Sequence, residues 1–139
     1  MLYLVYVIHG KWFFKSDDKA IYAVLPCLRE TGEYFMAEAR RLRMFEADNL
    51  EKTGDMFLIG NKDLDYISLP NLKETGKMFL GANQIIMNVN LPSLAYLPKY
   101  FLRNAMEIEN INLDNNCSWE NIYNKKLLEL LNKKKGKSL

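Results

Sequence analysis

Histidine occurs once in this chain, at His9, and cysteine twice, at Cys27 and Cys117. So thin an inventory argues against most catalytic chemistry. One histidine and two cysteines far apart in sequence cannot supply a tetrahedral metal set, and neither an H-E-x-x-H pair nor a calcium loop occurs. No serine or cysteine nucleophile is phased to meet His9 as a base. The stretch "IHGKWFF" holds a glycine and a lysine without the glycine spacing of a phosphate loop. The chain also lacks an apolar run near the roughly 20 residues that a bilayer span requires. Its start, "MLYLVYVIHGKWFF", has no basic leader and no small-residue cleavage site after it, so it does not read as a signal peptide.

A large excess of charge of one sign is missing as well. With 19 basic and 17 acidic groups the net charge is +2, but six lysines against Glu129 put +5 after residue 124 and leave −3 for the body. A body of that sign gives no reason to expect nucleic acid, and the lysine tail reads as a solvated terminus. Neither cofactor nor metal is expected, and the compartment stays unassigned: cytoplasmic by default, cell surface or secreted for a piece of a longer protein.

What the chain has is a period. Sliding the sequence by 22 residues superimposes Leu28, Leu50, Leu72 and Leu94, and it aligns Phe13, Phe35, Phe57, Phe79 and Phe101. Gly10, Gly32, Gly54 and Gly76 share another phase, completed by Pro98. Five units follow, 6–27, 28–49, 50–71, 72–93 and 94–115, preceded by a partial strand over 1–5 and followed by 116–139. Within a unit, Leu64, Ile67 and Leu69 spell L-x-x-I-x-L, whose last two positions alternate as a short strand with one buried face does. The other half, "LKETGKMFL", carries a glycine where the backbone must turn, and packs Phe79 and Leu80 inward as a turn of helix or a tight loop. A single unit cannot bury its apolar face, so neighbours stack with their strands parallel about 4.8 Å apart.

This unit resembles the bacterial leucine-rich repeats of the BspA-like class, approximately L-x-x-I-G-x-x-A-F-x-x-C-x-x-L-x-x-L-x-L-P-x-x, in a shorter, 22-residue form. Here Phe-Leu stands for Ala-Phe, Thr31, Thr53 and Thr75 stand for isoleucine, and Ala39, Asn61, Asn83 and Ala105 stand for the cysteine. The resemblance covers 6–115. It implies an α/β fold, a right-handed leucine-rich-repeat solenoid with parallel strands on a concave face, and a protein-interaction role, often at the bacterial surface.

Beyond Asn115 the pattern stops. Trp119, Tyr123, Leu127 and Leu130 fall at helical spacing, with Ser118 as the expected N-cap and lysines at the end that suits cations, so 116–139 reads as a C-terminal capping helix with a basic tail. At the other end the first turn starts bare, leaving Tyr3, Val5 and Val7 as a self-association edge. His9 shares its phase with Thr31, a structural position. Cys27 and Cys117 lie about four turns apart, roughly 20 Å, which excludes a disulfide if the stack is right.

The positions between buried strand residues point outward. They form one ladder of Tyr22, Met44, Tyr66, Asn88 and Asn110 and a second of Val24, Glu46, Ser68, Asn90 and Asn112. Aromatic and thioether groups suit anchoring of a partner, and asparagine both donates and accepts. The same asparagines can instead bond one another along an idle sheet. Another stripe, Trp12, Tyr34, Met56, Met78 and Tyr100, precedes the phenylalanines and is expected to be half-buried. The expectation is a non-enzymatic module binding an unidentified protein on the concave face. The alternative is an assembly unit or part of a longer array, such as a surface adhesin, docking or dimerising through its N-terminal edge.

Overall fold

A computed structural model describes residues 7–8 and 10–137, with side chains described over 10–136. The chain is a parallel-strand solenoid closed by one helix, consistent with a leucine-rich-repeat-like architecture. Five strands, β2 (Tyr22–Val24), β4 (Met44–Glu46), β5 (Tyr66–Ser68), β6 (Asn88–Leu91) and β8 (Asn110–Leu113), pair in parallel in the order β2-β4-β5-β6-β8. Each partner lies 22 residues on, as Tyr22, Met44, Tyr66, Asn88 and Asn110 stand side by side. The expected strand positions are therefore the observed ones. Ile67 and Leu69 are fully buried, with Leu64 before them. Among the described residues no helix is long and apolar enough to cross a membrane.

A second parallel ladder, which the repeat pattern does not announce, runs through the other half of the turns. It starts with β1 (Val7–Ile8) on β3 (Glu30–Thr31), continues through single bridges from Glu30 to Lys52 and from Lys52 to Glu74, and ends with β7 (Tyr96–Leu97) on β9 (Ser118–Trp119). At its start the register slips by one residue. Ile8, rather than His9, stands opposite Thr31. His9 itself lies outside the described residues, as do Tyr3 and Val5 of the expected self-association edge, while Val7 pairs its backbone with Glu30.

After this ladder the chain curls. Residues 34, 36 and 38 have φ of 57°, 48° and 55°, and the same three phases are left-handed in every copy from Trp12 to Asn104. Within the curl Ala37 N–H donates to Tyr34 C=O at 3.2 Å, and between turns Tyr34, Met36 and Glu38 donate to Asp55, Phe13 and Ile59, each at 2.8 Å. The curl turns both Phe35 and Met36 into the core, where each is fully buried. Phe35, Phe57, Phe79 and Phe101 then stack ring on ring at 5.3–5.7 Å and within 7° of parallel. Such contacts add roughly 0.5–1.5 kcal/mol per pair to the burial of each ring. The preceding stripe is half-buried, as expected, apart from the more exposed Trp12.

Glycine serves these turns differently from the expected role. Gly54 and Gly76 are not left-handed; a Cβ on Gly54 would lie 2.5 Å from the Gly32 carbonyl carbon, and one on Gly76 would collide with the backbone at Gly54 and Asp55. Close approach of stacked backbones, not turn geometry, demands glycine here.

The curl also aims carbonyls inward. Asn61 Nδ2 donates to Leu58 C=O at 2.6 Å and Met36 C=O at 3.1 Å, Asn83 Nδ2 donates to Leu58 C=O at 2.9 Å, and Asn83 Oδ1 accepts from Asn61 N–H at 2.6 Å. In the last turn Asn124 takes over, its Nδ2 donating to Leu102 C=O and Ala105 C=O at 2.8 Å each. The same side chain caps the helix α1 (Lys125–Lys137), accepting from Leu127 N–H at 3.0 Å. The expected N-cap, Ser118, instead lies in β9, and Trp119 and Tyr123 precede the helix. The pull of the second ladder on Ser118 and Trp119 overrides their helical spacing. Leu127 and Leu131 plug the end of the core.

Candidate functional site

Period-two alternation puts Ile67 and its equivalents into the core and turns the residues on either side outward. The outward ladders are those the sequence defines, Tyr22, Met44, Tyr66, Asn88 and Asn110 in one row and Val24, Glu46, Ser68, Asn90 and Asn112 in the other. Tyr22 is the most open of the early group at 54% exposure, Ser68 is nearly buried at 8%, and Met44, Glu46 and Tyr66 are half-buried.

The asparagines bond along the sheet. Asn110 Nδ2 donates to Asn88 Oδ1 at 2.8 Å, Asn112 Nδ2 to Asn90 Oδ1 at 2.9 Å, and Asn90 Nδ2 to Ser68 Oγ at 3.0 Å. These bonds fix the rotamers without exhausting the amides. Asparagine offers two N–H groups and two carbonyl lone pairs, so each retains capacity toward solvent.

At this end of the sheet the face becomes a groove of about 460 Å³, lined by Tyr66, Asn88, Asn90, Glu109, Asn110, Asn112 and Lys134. Lys134 comes from the last turns of α1, so the capping helix supplies one wall of the groove as well as closing the core. Lys134 and Glu109 are the contributions that the repeat pattern misses. Glu109 precedes the strand and breaks no phase, and the path of a helix over a sheet end depends on packing that no repeat encodes.

Cys117 is buried and lines a neighbouring cleft together with Trp119 and with Leu131, Lys134 and Lys135 of α1. Burial, with a smaller contribution from Asp114 and against Lys135, pushes its thiol from 9.0 up to about 11. A thiol held protonated at neutral pH is a poor nucleophile. Cys27 and Cys117 are both free.

These features define a class, the parallel-strand solenoid with a decorated sheet face. Comparison with protein-family models, with curated proteins and with solved structures finds no match to this chain.

Proposed function

We propose that the chain is a non-enzymatic binding module that takes a protein partner on the exposed face of its five-stranded sheet. The groove where Lys134 overhangs the asparagine ladders, with Tyr66 at its other rim, is the observation that carries this reading. Its chemistry is graded. Tyr22, Met44 and Tyr66 offer anchors of the kind that dominate protein interfaces, and Asn88, Asn90, Asn110 and Asn112 offer paired donors and acceptors already held in place. The BspA-like grammar of the repeat supports the same role, because the class it resembles acts by interaction rather than catalysis.

The test is retention of partners from lysate and medium of the source organism on the unaltered chain and on a Tyr66→Arg, Asn88→Arg variant. Both positions lie on the outward side of the sheet, so the variant should keep the far-ultraviolet circular dichroism of the parent and lose the partner. A folded variant that retains the same proteins would remove the face from consideration.

A second reading, assembly through the N-terminal end, draws on the phenylalanine ladder. Phe13 stacks on Phe35 at 6.3 Å, yet it is 39% exposed where Phe35, Phe57, Phe79 and Phe101 are fully buried. A second copy stacking there would cover it. Sedimentation decides, since a mass independent of concentration excludes this assembly.

A further inference from the structure

Among the described residues the last strand of the sheet, β8, has no neighbouring strand on its outer side. Alternate residues of a parallel strand present their N–H and C=O groups to opposite sides. Asn88 and Asn90 face the preceding strand, as the bonds from Asn88 N–H to Asp65 C=O at 3.1 Å and from Leu69 N–H to Asn90 C=O at 2.9 Å show. Val89 and Leu91 therefore serve the following strand. By the same rule Ile111 and Leu113 aim their N–H groups away from β6, and among the described residues those groups meet no partner. A cleft of about 230 Å³ adjoins this edge, with Asn112, Leu113, Asp114 and Asn115 on one side and Leu131, Lys134 and Lys135 of α1 on the other. The helix plugs the core without sealing the strand.

The side-chain ladders end at the same edge. All three of their bonds run in one sense, each amide nitrogen donating toward the preceding strand. Each row therefore finishes on a carbonyl oxygen, Asn110 Oδ1 and Asn112 Oδ1, that accepts nothing from the described residues. Backbone and side chains alike stop one strand short.

We infer that β8 is the docking edge for an extended peptide, which adds as a sixth parallel strand and carries asparagine, glutamine, serine or threonine at the two positions facing Asn110 and Asn112. The chain itself states the grammar that fits. β6 reads NVNL, β8 reads NINL, and the two pair residue for residue. Addition of a strand to an exposed edge takes its affinity from main-chain hydrogen bonds and its specificity from alternate side chains. This site borders the face groove and shares Asn112 and Lys134 with it, but a ligand on the face would lie over the side chains and leave the edge amides untouched.

The probe is a synthetic peptide, EIENINLDNN, the sequence around β8, added to the intact protein while amide hydrogen exchange is followed residue by residue. Binding should slow exchange at Ile111 and Leu113 at least tenfold. The same peptide with valine at its two ladder asparagines should bind at least tenfold more weakly. On the protein side, Leu113→Pro deletes an outward N–H from an edge strand, where proline is tolerated, and should abolish that protection. An Asn110→Val, Asn112→Val variant, which keeps strand propensity but removes the ladder ends, gives an independent reading if the proline variant does not fold. Absence of protection at millimolar peptide would overturn the proposal, and so would binding indifferent to both variants. A peptide that perturbs Tyr66 while leaving Ile111 and Leu113 unprotected would put it on the face and overturn the edge. Protection that appears without peptide and grows with protein concentration would make a second copy the occupant, and would overturn it too.

Discussion

A left-handed backbone costs a residue with a Cβ roughly 1–2 kcal/mol, and the curl imposes it at three phases of each turn while using glycine only at Gly60. Hydrogen bonds between turns offset this strain, because a buried backbone group left unpaired costs roughly 1–3 kcal/mol. Where the side chain contributes no packing, the strain should be removable. Ala82 is exposed with φ of 56°, so Ala82→Gly should raise stability by about 0.5 kcal/mol after the extra freedom of the unfolded chain is counted. Gly60→Ala should lower it. Urea melts of the two variants check the pair, and the usual order, with glycine the weaker in both, would show that the curl does not persist in solution. Thr53 presents a different imbalance. Among the described residues its buried hydroxyl meets no partner, nor does that of Thr31, so Thr53→Val removes a desolvated group at nearly constant volume. A gain of about 1 kcal/mol in the same assay is expected.

At the scale of elements, the capping helix depends on one side chain. Asn124 supplies its N-cap and also satisfies two buried carbonyls of the last turn. Asn124→Ala should cost about 3 kcal/mol, from the lost cap and the carbonyls left dry, whereas Ser118→Ala should change stability by less than about 0.5 kcal/mol. Thermal melts followed at the helix signal separate the two. This contrast also marks where the sequence is legible. The five sheet strands and their outward ladders follow from the phases of Ile67 and Leu69, because alternation and burial act locally in every copy. Asn124 lies outside those phases, and its partners, Leu102 and Ala105, are 22 and 19 residues away. The curl is equally silent, since Trp12, Met36 or Leu80 in a left-handed conformation contradicts local preference and persists through contacts between turns. The glycines are visible as a phase, but their reason, the neighbour's backbone, is a property of the stack. The groove is half legible, its asparagines through the repeat and Lys134 only through the fold.

On the scale of the whole molecule, each turn touches its neighbours and little else, so stability is close to a sum of units and interfaces. The units should then be removable as wholes. Deleting 50–71 joins Asn49 to Leu72 with every phase preserved, leaving Phe35 to stack on the ring now supplied by Phe79. The shortened chain should fold with the same circular dichroism per residue and a lower midpoint in urea. Deleting 50–70 instead shifts every later position by one residue, sets the glycines against side chains, and should leave no cooperative transition. Two deletions that behave alike would show that the stack lacks this register.

The asparagine rows have a further consequence. Successive peptide groups of a strand point to opposite sides, so their dipoles largely cancel in the direction across the strands, but the side-chain amides above this sheet are aligned, each nitrogen toward β2 and each carbonyl toward α1. Their small moments add, and the face acquires an electrical direction. Lys134 stands at the carbonyl end, where a cation is favoured. A molecule crossing the strands would meet an arrow rather than a uniform surface, and would settle with its donors toward Asn110 and Asn112 and its acceptors toward Ser68.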